Sequence, residues 1–217
     1  MRDRLRAILI GIIFAIVPLN SYATDSTFSA IEPSRLVVDM GEQCVISVKD
    51  YLKGHLASGM PLNASYWTDK PPVRTLMSKF GVSFVCASLI DNSKEVIARQ
   101  HGAVYDEDKK EWVPYFESDS DARLLDTFTK VHNLKAVNGD GFYLIQDDRD
   151  GDPARRQRYL SFCIFHETTA VCGEEPVMYL SDPNGNMLPY VLDILRSVEF
   201  VGTSGSKPVP PGAPVNQ

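Results

Sequence analysis

Arg158-Tyr-Leu-Ser-Phe-Cys163-Ile-Phe-His166-Glu-Thr-Thr169-Ala-Val-Cys172-Gly173 is the stretch on which the fold turns. Both flanks are rich in the β-branched and aromatic residues that suit a pleated surface. A turn at Glu167-Thr168 sets His166 opposite Thr169 and, in the same register, Cys163 opposite Cys172. Directly opposed residues of a non-hydrogen-bonded antiparallel pair bring their Cβ atoms close enough for a disulfide. The spacing therefore predicts a hairpin stapled by Cys163 and Cys172, which leaves Cys44 to pair with Cys86. Four cysteines, an even count, read as two bridges in an oxidising compartment. No short Cys-x-x-Cys spacing or paired Cys/His ligand set points to a metal instead. On a strand, Cys163 and His166 face opposite ways.

Working outward, Phe142-Tyr-Leu-Ile-Gln146 reads as a strand entered through the Asn138-Gly-Asp-Gly141 turn, with 177–180 continuing the sheet. Residues 36–40 and 44–48 read as short strands about Gly41, and 82–90 as a buried strand. Residues 111–116 form a strand that Pro114 shortens or holds at an edge, and 197–201 a closing strand. Three helices are expected. The first is capped by Asp69, carries Pro71 and Pro72 in its first turn, and sets Val73, Leu76, Met77 and Phe80 at i, i+3, i+4, i+7 before Gly81. The second follows Asp119 and Ser120, with Leu124, Leu125, Phe128 and Val131 on one face and His132 in its last turn. The third starts near Met187, with Pro189 in its first turn and Leu188, Val191, Leu192 and Leu195 on one face. Residues 53–70, punctuated by Gly, Pro and Asn, read as a long loop, and Asp91-Asn92 as a turn. The sum is an α+β domain over 24–201: a single twisted, mostly antiparallel sheet, about three helices packed on it, and two disulfides. A Gly/Pro/Ser-rich tail over 202–217 carries no apolar periodicity and reads as disordered.

The N-terminus carries an address. Arg2, Arg4 and Arg6 precede the apolar run Ala7-Ile-Leu-Ile-Gly-Ile-Ile-Phe-Ala-Ile-Val17, and Ser21-Tyr-Ala23 supplies small residues at a cleavage site. This is the grammar of a secretory signal peptide over 1–23, cleaved after Ala23. The run is too short for a span, which needs about 20 apolar residues, so no transmembrane anchor is expected after cleavage. The first Cys lies far from the cut, which argues against a lipoprotein. Periplasmic export is the expectation. The formal charge of −6 becomes −8 once a leader with three Arg and one Asp is removed. An acidic chain of 44% apolar and 23% charged residues is globular and unsuited to nucleic acid, whose phosphates demand basic stripes.

Polar constellations are few. His55, His101, His132 and His166 sit at no metal-ligand spacing, and no Gly-x-Ser-x-Gly frame occurs. A triad of distant residues would leave no such trace, because triads are spatial. Two acidic runs stand out: Asp106, Glu107 and Asp108, and Asp147, Asp148, Asp150 and Asp152. The second alternates like the start of a calcium loop, but Pro153 stands where Gly is needed and Tyr159 replaces the bidentate Glu. Their third reading is docking onto a basic partner, with Trp67 and Trp112 as aromatic anchors. Trp67 is the best exposed candidate, since no helix or strand pattern claims it.

The ending Arg158-Tyr-Leu-Ser-Phe-Cys-Ile-Phe, Ala170-Val-Cys-Gly, then Leu188-Pro-Tyr-Val-Leu-Asp-Ile-Leu-Arg-Ser-Val-Glu-Phe200 resembles the C-terminal half of Mog1/PsbP-like α/β sandwiches over 142–201. In style it is similar to exported proteobacterial immunity proteins of type VI secretion effectors. Together with the export signal, the resemblance favours a periplasmic, non-enzymatic protein that sterically blocks a toxic secreted effector and so has a protein partner; with no ligand spacing in the sequence, no cofactor and no metal are expected. The alternatives are an envelope-maintenance or secretion accessory protein, and an enzyme or ligand-binding protein whose site is built from scattered residues.

Overall fold

The computed structural model describes residues 32–202. The signal peptide expected over 1–23 and the tail beyond Gly202 lie outside the described residues. Every element belongs to one compact unit that begins at Pro33. The predicted hairpin stands at its centre: β10 (Gln157–His166) and β11 (Thr169–Tyr179) pair antiparallel with Cys163 opposite Cys172 and His166 opposite Thr169. Both expected disulfides form, Cys163 to Cys172 and Cys44 to Cys86, as suits an oxidising environment. Among the described residues no helix is long and apolar enough to cross a membrane.

Residues 160–165 of β10 are buried without a break, so both faces of the strand are covered. The even positions Leu160, Phe162 and Ile164 pack into a core with Ile46, Val48, Val191, Ile194 and Leu195. Those partners come from a small sheet, β1 (Arg35–Asp39), β2 (Val45–Lys49) and β12 (Glu199–Phe200), and from α3 (Leu188–Arg196). The odd positions Cys163 and Phe165 join Ile97, Ala98, Ala103, Trp112 and Phe142, supplied largely by α1 (Lys94–Gln100) and the hairpin β6 (Ala103–Asp106), β7 (Glu111–Pro114). The wide sheet runs β3 (His55–Met60), β4 (Asn63–Thr68), β5 (Phe80–Ser88), β11, β10, β9 (Asp140–Asp147), β8 (Thr129–Lys135), antiparallel throughout. In the small sheet β1 and β12 flank β2. Arg35 ties the three together, donating to Ser47 Oγ at 2.8 Å and Ser197 O at 2.8 Å and pairing with Glu199 at 3.0 Å.

The fold is α+β, but among the described residues the strands form three sheets of seven, three and two strands rather than one. Helix α3 and the strands about Gly41, at 82–88 and at 142–146 lie where expected; Val191, Leu192 and Leu195 are buried. Three expectations are corrected. The 53–70 loop is the hairpin β3–β4, turning at Pro61-Leu62 with Leu62 at φ 60°. Its second strand alternates, with Ala64, Tyr66 and Thr68 inside and Ser65 and Trp67 outside. The helix expected from Asp69 does not form: 69–79 is irregular and Phe80 opens β5. Two successive prolines push the residues before them out of the α region. Leu76, on the expected apolar face, is 65% exposed while Phe80 is fully buried.

The second expected helix stops early. Ser118, not Asp119, caps α2 (Asp119–Leu125), a 3-10 turn follows, and Val131 and His132 lie in β8. None of its residues is buried, so no packed face extends it. Helix α1 was not foreseen. Its signals are plain in retrospect: Ser93 accepts the Val96 N–H as N-cap, and Gly102 stands at φ 79° just past the last turn.

Candidate functional site

Strands β5 and β11 pair only from Ser88–Thr169 to Val85–Cys172. Beyond Gly173 they part, and the Glu175 carboxylate takes the Ser83 N–H at 2.8 Å. Gly173 itself must be glycine-like in size, because a Cβ there would lie 2.1 Å from Ser83 O. On the other side of the strand, the register against β10 shifts between Arg158 and Tyr159, where Tyr159 faces Pro176, a residue with no N–H to give. The parting opens a groove of about 710 Å³ lined by Trp67, Lys79, Ser83, Gln157, Glu175 and Tyr179 among others.

Trp67 stands on the outer face of β4, 37% exposed, with its ring 5.4 Å from that of His55 on the neighbouring strand. Its position is fixed by what lies inside. Tyr66 is fully buried and donates its hydroxyl to Asp50 Oδ1 at 2.8 Å. Burial, reinforced by that carboxylate, holds the phenol well above its ordinary pKa. The alternation that buries Tyr66 turns Trp67 out.

The acidic residues are largely committed to their own loops. Asp106 accepts the N–H groups of Asp108 and Lys109, both at 3.1 Å, and pairs with the Lys109 ammonium at 3.1 Å. The hydrogen bonds from Lys109 hold its carboxyl below the usual range. Glu107 and Asp108 are exposed at the tip of the β6–β7 hairpin. Asp147 makes a two-pronged pair with Arg158, at 2.6 and 2.7 Å. Asp148 accepts the Gln157 N–H at 2.9 Å and Asp152 that of Ala154 at 3.0 Å, while Asp150 is exposed.

The sequence-derived residues thus fall into two groups. The 147–152 loop closes on Gln157, which lines the groove with Trp67. The Asp106–Asp108 turn belongs to the hairpin that carries Trp112. That indole is 6% exposed, packed 4.8 Å from the Phe142 ring and 5.7 Å from Phe165, with Lys94 Nζ 5.5 Å above it. It braces the hairpin from beneath and offers a partner little surface. Glu175, Gln157 and Tyr179 went unnoticed in the sequence, because only the parting of two distant strands brings them to Trp67.

A second, smaller pocket lies beneath α1. His101 ends the helix, donating its N–H to Ala98 O at 3.0 Å, and Gly102 turns the chain away. His101 Nδ1 lies 3.3 Å from Ser161 Oγ, and the Ser161 hydroxyl lies 3.3 Å from the His101 carbonyl oxygen. The arrangement in which each proton has an acceptor runs from Nδ1–H to Oγ and from Oγ–H to the carbonyl. It makes the serine a donor to the main chain rather than to a base. Burial lowers the imidazole pKa and favours its neutral form. Glu117, Asp121 and Glu174 share the pocket, whose volume is about 280 Å³. The other histidines rest on aromatic rings: His132 on Tyr143 and His166 on Phe200, stacked at 4.9 and 5.0 Å. No family model, curated protein or solved structure matches the chain.

Proposed function

We propose that the chain is an exported protein-binding domain, and more narrowly an immunity protein that sterically occludes a toxic secreted effector. The observation that carries this reading is Trp67, a half-exposed indole fixed on a strand at the rim of a groove of about 710 Å³. Tryptophan is enriched among the residues that anchor protein interfaces. The disulfide-braced sheet beneath loses little freedom on binding, which favours occlusion by a preformed surface. Acidic side chains near the groove, Glu175 within it and Asp150 on the loop that closes on Gln157, favour a basic partner surface and speed its encounter.

The test is protection. Cells that export the product of the adjacent reading frame should survive when this chain is co-exported, and the two purified proteins should form a stoichiometric complex. Trp67→Ala should weaken that complex by about 2 kcal/mol, some thirtyfold, with the fold unchanged. Failure to protect, with no complex, overturns the immunity reading and leaves an envelope accessory role. A second reading, an enzyme or small-ligand protein, is favoured by the pocket that His101, Ser161 and Glu174 share. A small ligand that binds this pocket saturably, and more weakly to His101→Gln with the fold unchanged, would establish it.

A further inference from the structure

Three metal-ligating atoms converge beneath α1. One ring nitrogen of His101 and the Sγ atoms of Cys163 and Cys172 all lie within 4.8 Å of one another. The two cysteines face each other across β10 and β11 and are 0% and 2% exposed, within the aromatic cluster of Trp112, Phe142 and Phe165. His101 is anchored by its helix-capping N–H and by its Nδ1 contact with Ser161. With the proton on Nδ1, the ring's lone pair rests on Nε2. An imidazole oriented by a hydrogen bond through its other nitrogen is the usual form of a histidine ligand.

We propose that reduction of the Cys163–Cys172 disulfide converts this cluster into a two-cysteine, one-histidine site for a soft or borderline cation of the zinc or cuprous class. Disulfide and metal are then alternative staples of the same hairpin. The distances allow it. Bonds of about 2.3 Å to sulfur and about 2.1 Å to nitrogen place ligand atoms roughly 3.5–4 Å apart around a tetrahedral centre; once the sulfur–sulfur bond is cleaved the two Sγ atoms draw apart to that separation, and the imidazole nitrogen already lies within 4.8 Å of both. Thiolate sulfur with imidazole selects such cations over the oxygen-seeking calcium and magnesium. Of the three ligands only His101 lines the pocket shared with Ser161 and Glu174; both cysteines are buried behind it.

The chemistry balances through a dithiol donor. Its two thiols become a disulfide and supply two electrons and two protons, which cleave the Cys163–Cys172 bond into two thiols. The cation then displaces both thiol protons to solvent as two metal–sulfur bonds and one metal–nitrogen bond form, so binding weakens as pH falls. The inference goes beyond the partner-binding reading and does not rest on it.

The test uses the purified chain, reduced anaerobically with a dithiol, freed of it, and titrated with Co²⁺ as an optical probe. One equivalent should bind with thiolate-to-metal charge-transfer absorption, displaced by Zn²⁺. The oxidised chain should show none. Cys163→Ser with Cys172→Ser should abolish the signal, and His101→Gln should weaken binding by at least the roughly tenfold that loss of an outer-shell partner costs. The proposal is overturned by the absence of charge transfer, by a signal that survives the double serine variant, or by His101→Gln binding as tightly as the parent. A reduced chain that unfolds by circular dichroism and is not restored by the metal overturns it equally.

Discussion

The two halves of β11 are one strand in two environments. From Thr169 to Cys172 it is paired on both sides, to β10 and β5, and buried under cover on both faces. Beyond Gly173 it keeps β10 but leaves β5, and a glutamate side chain takes the place of the missing ladder bond. The first half is core, whereas the second gives Val177 to the core and Glu175, Pro176 and Tyr179 to the groove. A single uninterrupted sheet would have offered a flat face there. What separates the two outcomes is small: a residue without a Cβ, a residue without an N–H, and one slip of register.

Breaking the first half should cost most, and the two bridges should differ. Cys44 and Cys86 are 42 residues apart, Cys163 and Cys172 only 9. In the chain-entropy account, replacing the first pair by Ala costs about 4 kcal/mol and the second about 2.5 kcal/mol, as measured by urea unfolding of each double variant. Equal costs would mean that the local staple is holding more than its hairpin.

The boundary between the halves is the next place to press. Gly173→Val drives a side chain into Ser83 O and the Phe162 ring. It should destabilise by about 3 kcal/mol and, in whatever remains folded, alter the groove. Smallest is a pH effect on the far side of the strand. Because burial lowers the folded-state pKa of His101 below its ordinary 6.5, the unfolded chain takes up a proton first as pH falls. Stability should therefore be at its full value above about pH 6.5 and decline below it, flattening at the folded-state pKa. His101→Gln should remove that component of the slope, read from denaturation midpoints across pH 5–8.

The central hairpin was legible because its information is local: a turn, alternation and two cysteines in register within sixteen residues. Residues 69–79 misled for a physical reason. Prolines that suit a helix's first turn stand beside apolar residues at helical spacing, yet the segment reaches the core as an irregular chain, with Val73 and Met77 packed against it while Leu76 stays in water. Trp67 was rightly read as exposed, but on the ground that it lay in a loop; it is exposed because Tyr66 is not. Trp112 shows the converse, since its burial depends on α1 and Phe165, far away in sequence. Glu175 and the His101 cluster were illegible for the same reason, being products of which strands meet and where they part.

The strand β2 lies between the first strand of the domain and the last, with Arg35 reaching Glu199 across it. Glu199 stands 152 residues after its partner Ser47, so this sheet closes only once the strands between them have been made. Its completion is a long-range event, and folds rich in such non-local contacts fold more slowly. Until that closure Arg35 lacks both Ser197 and Glu199, so the last contacts to form are the ones that lock the first strand in place.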